Sequence, residues 1–224
     1  MFSQKTFDFL LENRLNNSRD WFLEHKADYT EHVLNPLVAL ATALTPAISE
    51  IDRSIITEPR VDKTISRIYR DSRFSKDKSL YRDEMWLSFR RDKKSFPQFP
   101  EFFFVIMQNE FIYGCGYYAA TAQAMDSMRS LIIKKDPKFL KAEKAFESQS
   151  DFVIEGDTYK RSKYPEQPEK TRAWLDRKSI CFMCKSTDFS QLYSDTLADR
   201  VIKAYRQMEP IYNFFVHAES FCRG

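Results

Sequence analysis

FFFVIMQNEFIYGCGYY, residues 102–118, decides the fold class. Six apolar residues, 102–107, run into the short polar turn Gln108-Asn109-Glu110, and a second apolar, aromatic-rich run follows over 111–118. Aromatic and β-branched side chains suit a pleated surface, and a turn this short joins antiparallel strands, not parallel ones. The stretch therefore predicts a β-hairpin. Because every residue of its first strand is apolar, the expectation is a strand buried on both faces.

Upstream of the hairpin, residues 64–69 and 85–89 are short, β-rich and nearly alternating. Downstream, 152–154 and 180–183 read as two more strands, separated by a polar surface loop over 156–170. Helical spacing flanks this region. Phe2, Phe7, Leu10, Leu11 and Leu15 form a stripe that breaks at Asn16-Asn17-Ser18, where a second helix begins with Asp20 in its first turn and Trp21, Phe22, Tyr29 and Val33 on its apolar side. Pro36 starts a third helix or bends the second, and Leu37, Leu40, Ala41 and Leu44 carry it to a stop near Pro46. Thr121, Met125, Met128 and Ile132 mark a later helix, and Asp136-Pro137 opens another with Phe139, Ala142 and Phe146 inward. Phe189, Tyr193, Leu197, Val201, Ala204, Met208, Ile211 and Phe215 step by threes and fours along a last helix that Pro210 should kink or divide. The expected fold is α+β: a mainly antiparallel sheet flanked by amino-terminal and carboxy-terminal helices. With no linker or repeat, residues 1–224 read as a single domain.

Composition sets the outer bounds. A chain of 224 residues that is 43% hydrophobic, with 20 Phe and 11 Tyr, is too rich in large apolar groups for a disordered segment. Its net charge of +3, from 35 basic against 32 acidic residues, provides no chain-wide field for a polyanion, so any anion recognition is local. Uninterrupted apolar runs fall far short of the roughly 18 residues of a membrane span, and Lys5, Asp8 and Glu12 interrupt the opening stretch as no secretion signal would. The expectation is a cytoplasmic protein with no membrane partner and four free thiols.

The densest chemistry lies at residues 67–82, Arg-Ile-Tyr-Arg-Asp-Ser-Arg-Phe-Ser-Lys-Asp-Lys-Ser-Leu-Tyr-Arg, where six cations face two carboxylates. Arg67, Arg70 and Arg73 recur every third residue, a row that suits several guanidinium forks aimed at one anion or a loop laced to nearby carboxylates. The candidate ligand-binding set is Arg67, Arg70, Asp71, Arg73, Lys76, Asp77, Lys78 and Tyr81, with Lys160 and Arg161 added from the later loop. Asp71 orients the arginines or serves as a general base in a dry pocket. Three readings follow: a pocket for a small phosphate- or carboxylate-bearing ligand, a flat basic patch for nucleic acid, or a purely structural ion-pair lattice. The first is favoured, because cations crowded beyond what their own carboxylates neutralise repel one another unless an anion is bound.

This run resembles the signature of a bacterial family known as domain of unknown function 2461, with its Arg-Asp-x-Arg-Phe and Asp-Lys-x-x-Tyr pattern. Asn16-Asn17, Trp21-Phe22, Lys26 and Tyr29 are similar to that family's amino-terminal element, and Gly114-Cys115-Gly116-Tyr117-Tyr118 to its glycine-rich strand end. Tyr159-Lys160-Arg161, followed by Tyr164-Pro165, resembles a Lys-Arg-x-Pro segment in the same order. Leu80 stands where proline is more usual. The resemblance implies no assigned activity.

Only four glycines occur, and Gly114 and Gly116 flank Cys115. Such a pair marks a backbone loop or bulge, or a place that another group approaches closely; a phosphate cradle is a further reading. The full dinucleotide-binding pattern is absent, and no cofactor is expected. Cys181 and Cys184, three apart on a strand, point to opposite faces, and His25 and His32 sit about 10 Å apart along a helix, so no metal site is expected. The aromatics of 102–118 as a base-stacking platform yield to the simpler reading of core packing.

Overall fold

The computed structural model describes residues 1–73 and 76–222. Phe74 of the basic motif, with Ser75, lies outside the described residues, as do Arg223 and Gly224.

The hairpin forms: β2 (Glu101–Ile106) pairs antiparallel with β3 (Phe111–Gly116), Glu101 opposite Gly116 and Ile106 opposite Phe111, while Met107 N–H donates to the Glu110 carbonyl at 2.9 Å. On one side β1 (Met85–Phe89) joins β2. On the other, β5 (Cys181–Ser186) lies against β3, and β4 (Val153–Glu155) closes the far edge. The order is β1-β2-β3-β5-β4 with every pair antiparallel, and helices flank it, so the fold is α+β. Residues 64–69 depart from expectation. They make only isolated bridges, Ile65 to Val61 and Leu87 and Tyr69 to Tyr81, because the segment leaves the β1 edge to build a loop of its own.

The amino-terminal helices are α1 (Gln4–Asn16), α2 (Arg19–Glu24), α3 (Lys26–Tyr29) and α4 (Asn35–Ile51), the last two joined by a π-helical turn, Thr30–Leu34. Asn17 takes a left-handed conformation that ends α1, and Ser18 Oγ accepts from Trp21 N–H to start α2, as the Asn-Asn-Ser break predicts. The stripe itself is rotated: Phe9 and Asn13 are buried, while Leu11 and Leu15 are exposed. After the hairpin come α5 (Ala122–Ile133), α6 (Pro137–Glu147), α7 (Glu169–Leu175), α8 (Phe189–Leu192) and α9 (Leu197–Ser220). Thr121 and Asp136 cap α5 and α6. Sequence periodicity did not reveal α7, which buries Trp174 and Leu175.

Pro36 opens a helix, as the sequence allows, whereas the two later prolines neither stop nor divide theirs. Pro36 sits in the first turn of α4, and the carbonyl its missing N–H would have served, that of His32, accepts from Thr6 Oγ1 at 2.7 Å. Pro46 does not stop α4, because Ala47 and Ile48 beyond it are buried and hold the chain helical to Ile51. Nor does Pro210 divide α9, with Ile211, Tyr212, Phe214 and Phe215 all buried just past it. The stripe breaks instead at 193–196, where Thr196 N–H and the Ser194 hydroxyl bond locally and compete with helix. The helical run Lys26–Ile51 is, by length and composition, apolar enough to cross a membrane, which counting uninterrupted apolar residues overlooks. In this fold Val33, Leu37, Leu40, Ala41, Leu44 and Ile48 spend that apolar surface in the core.

Helix α9 lies along one face of the sheet, with α4, α5 and α6 packed against it. Tyr212 sets its ring 4.9 Å from that of Phe102, and Tyr205 OH donates to the Phe103 carbonyl at 2.8 Å. Burial along β2 alternates accordingly. Phe102, Phe104 and Ile106 are fully buried, whereas Glu101, Phe103 and Val105 are only half-buried. The two-sided burial expected of this strand is therefore incorrect: the sheet is antiparallel, and helices cover one face only.

Candidate functional site: a cationic cleft on the open sheet face

The uncovered face floors a cleft of about 1130 Å³. Period-two alternation aims Trp86 and Ser88 of β1, Phe103 and Val105 of β2, Ile112 of β3 and Met183 of β5 into it. From the β1 edge the basic segment closes it, and Tyr118, 95% exposed, stands at its mouth. Among the described lining residues seven are cationic and four acidic, a surplus as large as that of the whole chain.

The motif is held from below by the amino-terminal helices. Arg70 N–H donates to the Leu80 carbonyl at 2.8 Å and Arg82 N–H to the Ile68 carbonyl at 2.9 Å, which makes a short antiparallel ribbon about the Tyr69–Tyr81 bridge. At the end of α1, Arg14 Nη1 donates to the Tyr81 carbonyl at 2.8 Å and Asn17 Oδ1 accepts from Leu80 N–H at 2.7 Å, a bond that proline at 80 could not make. Tyr81 stacks on Phe22 at 5.1 Å and contacts Tyr69 at 5.1 Å.

These contacts redistribute the sequence candidates. Tyr81 is fully buried, packed among rings beneath the loop and not at the cleft. Each arginine of the row has a carboxylate: Arg67 pairs with Asp62, Arg70 with Asp77 at 2.8 Å and Arg73 with Asp71 at 2.7 Å. All three still line the cleft. The Arg73 fork, bonding through Nε and Nη2, pulls the Asp71 carboxyl down to about 2, which leaves it a poor general base at neutral pH. Asp77 accepts from Ser79 Oγ at 2.5 Å, Ser79 N–H at 2.9 Å and Arg14 Nη2 at 2.5 Å, and these donors hold it well below the usual carboxylate range. It fastens the loop and lies outside the cleft. Lys78 Nζ donates to the Ser72 carbonyl at 2.8 Å, and Lys76 is exposed; neither lines the cleft. Lys160 and Arg161 are exposed on the loop after β4, at the opposite edge of the sheet from β1, so they do not join the cluster.

Gly114 and Gly116 are not a loop. Both lie inside β3 in unbroken register, and the alternative holds, that other groups crowd them. A Cβ on Gly114 would meet the Phe182 carbonyl at 2.1 Å and Phe103 Cζ at 2.8 Å, so the Phe103 ring lies across this glycine and flattens the floor. Gly116 has φ +148° and would meet Cys181 Cα at 2.4 Å. Cys181 faces the cleft while Cys184 is buried beneath the sheet, as alternation requires. Burial pushes the Cys181 thiol up to about 11, so it is neutral at physiological pH and unreactive.

Two cleft groups stand apart because the residues around them leave their chemistry unused. Arg82, on the same side of the ribbon as Arg70, lays its guanidinium 4.5 Å from the Trp86 ring centre. Its Nε is buried without a hydrogen-bond partner among the described residues, and burial, with Arg70 nearby, lowers its pKa. Glu101 accepts one hydrogen bond, from Ser88 Oγ, and burial pushes its carboxyl up against the opposing fields of Arg90 and Lys93. An unsatisfied guanidinium on an indole can take a planar anion, and a desolvated carboxyl can accept or exchange a proton. Arg82 lies within the basic run yet outside the sequence candidates, whereas Trp86, Ser88 and Phe103 read only as strand residues and Glu101 falls just outside the predicted strand. The shared parity of 86 and 88, and a β2 run too apolar for a sheet covered on one face, are the signals that point to them. Comparison with curated proteins gives no match. The family model described as conserved hypothetical protein (DUF2461) matches residues 5–214, including the basic ribbon, its helical support and the whole sheet, and the chain belongs to that family.

Proposed function

We propose that the open sheet face binds a small ligand with a flat apolar body and a phosphate or carboxylate group, and that Arg82 holds the anion. The observation that carries this reading is the Arg82 guanidinium, stacked on Trp86 with a buried Nε that no described residue satisfies. Leaving such a donor unmade costs roughly 1–3 kcal/mol, and an anion in the cleft is the partner this reading supplies for the rest of the guanidinium. The cationic surplus of the lining draws an anion in, and Phe103, Val105, Ile112 and Met183 offer its body an apolar floor. A cleft of about 1130 Å³ is slightly larger than the usual small-molecule site, so the ligand fills part of it. The row Arg67, Arg70 and Arg73, each fork paired to its own aspartate, suits the lattice reading instead: it shapes the wall and adds to the field.

Calorimetric titration with para-biphenylyl phosphate tests this. Arg82→Ala should weaken binding at least about tenfold, or about 1.4 kcal/mol, while Arg67→Ala changes it less than about twofold. Equal affinity in wild type and Arg82→Ala, or no saturable binding at millimolar probe, overturns the proposal. A single-stranded oligonucleotide forms the second arm: tight binding that weakens steeply with salt would move the assignment to nucleic acid.

A further inference from the structure

We propose that Glu101, with Ser88, forms a second polar subsite that takes an amino group at the end of the ligand remote from its anion. This rests on the reading of Arg82 as the anion's partner and names the ligand class: a zwitterion with a flat apolar spacer.

Strand register provides the geometry. On the open face Trp86 lies opposite Val105 and Ser88 opposite Phe103, and Glu101 follows two residues further along β2. The level of Glu101 is thus four residues from that of Trp86, about 13 Å at roughly 3.3 Å per residue. A biphenyl that carries a phosphate at one para position and an aminomethyl group at the other is of comparable length. Between the two ends the Phe103 ring, lying over Gly114, makes a flat floor.

The carboxyl chemistry selects the group. A carboxylate has about four lone-pair sites, and among the described residues Ser88 Oγ fills one of those of Glu101. Arg90 and Lys93 act on it through their fields without forming an ion pair among the described contacts. Burial disfavours its charged form, so an arriving ammonium, which both donates and neutralises, gains more here than at an exposed carboxylate. Both ends carry neighbours of opposite sign, Glu84 and Asp71 beside Arg82 and Arg90 and Lys93 beside Glu101, so the two subsites are distinguished by the desolvated group at each and not by a field along the cleft.

The test compares para-biphenylyl phosphate with the same compound bearing an aminomethyl group at the far para position. Both are titrated into wild type, Glu101→Gln, Ser88→Ala and Arg82→Ala at neutral pH, with thermal unfolding as a check on folding. Wild type should prefer the amine by about tenfold, Glu101→Gln should cut the preference below about twofold with the plain probe unaffected, and Ser88→Ala should fall between. Arg82→Ala should weaken both probes. If wild type binds the two alike, or Glu101→Gln keeps the preference, the subsite is refuted while the Arg82 reading stands. If neither probe binds wild type, the Arg82 reading falls and the subsite with it.

Discussion

On the helix side of β2, Phe102, Phe104 and Ile106 lie fully buried beneath α9, while Phe103 and Val105 on the other side, no less apolar, floor an open cleft. One strand thus supplies two apolar faces, and only one is used for folding. Hydrophobic burial stabilises in proportion to the area withdrawn from water, so the covered face carries stability and the open face is left for recognition. Charge follows the same division. The described cations of the cleft gather over the open face, whereas the helix-covered side holds aromatic and aliphatic side chains.

The largest expected effect is at Phe104. Phe104→Ala should cost about 3–5 kcal/mol in denaturant unfolding, because a fully buried ring leaves a cavity. Phe103→Ala, one residue away, should cost about 1–2 kcal/mol, since its ring is partly in water already. Equal losses at the two positions would show that the open face is as much a part of the core as the covered one. A smaller effect is expected at Asp77. Its carboxyl is depressed in the folded state, so its contribution is present above the unfolded value of about 3.9 and fades as pH falls through the folded one. Asp77→Asn should lower the melting temperature at neutral pH, with the deficit closing in acid; a deficit that does not change with pH would remove Asp77 as the electrostatic fastener of the loop. The smallest effect has the opposite sign. Glu101 is raised in the folded state, so the fold binds the extra proton, and stability is lost as pH rises from about 4.3 through the folded value. Glu101→Gln should therefore gain in melting temperature over wild type between acid and mildly alkaline pH. No gain would mean that Arg90 and Lys93 fully offset the burial of this carboxyl.

Local signals in the sequence were reliable wherever local chemistry decides. The Gln108-Asn109-Glu110 turn, the helix starts at Ser18 and Asp136 and the alternation that separates Cys181 from Cys184 all rest on a few neighbouring atoms. Pro36 starts α4 as expected, whereas Pro46 and Pro210 neither stop nor divide their helices, because local rules give the cost of losing a backbone donor without the buried residues beyond each that hold those helices together. The candidate site was legible in part. The charge density of 67–82 identified the segment, yet the partner of Arg67, Asp62, lies outside it, and Arg14 and Asn17, which hold Asp77 and Leu80, come from the amino-terminal helices. Without them Arg67 looks free and Arg82 looks ordinary, and the reverse is closer to the geometry.

Residue type and spacing alone determined that this chain builds an antiparallel hairpin inside an α+β fold and carries a concentrated basic segment, because turn chemistry, side-chain alternation and charge are properties of neighbours. Tertiary structure decided which face of the sheet is covered, which cations are neutralised and which carboxyl is desolvated. Those outcomes depend on groups brought together from distant parts of the chain, such as Trp86 under Arg82 and Ser88 beside Glu101, and no local pattern encodes their meeting.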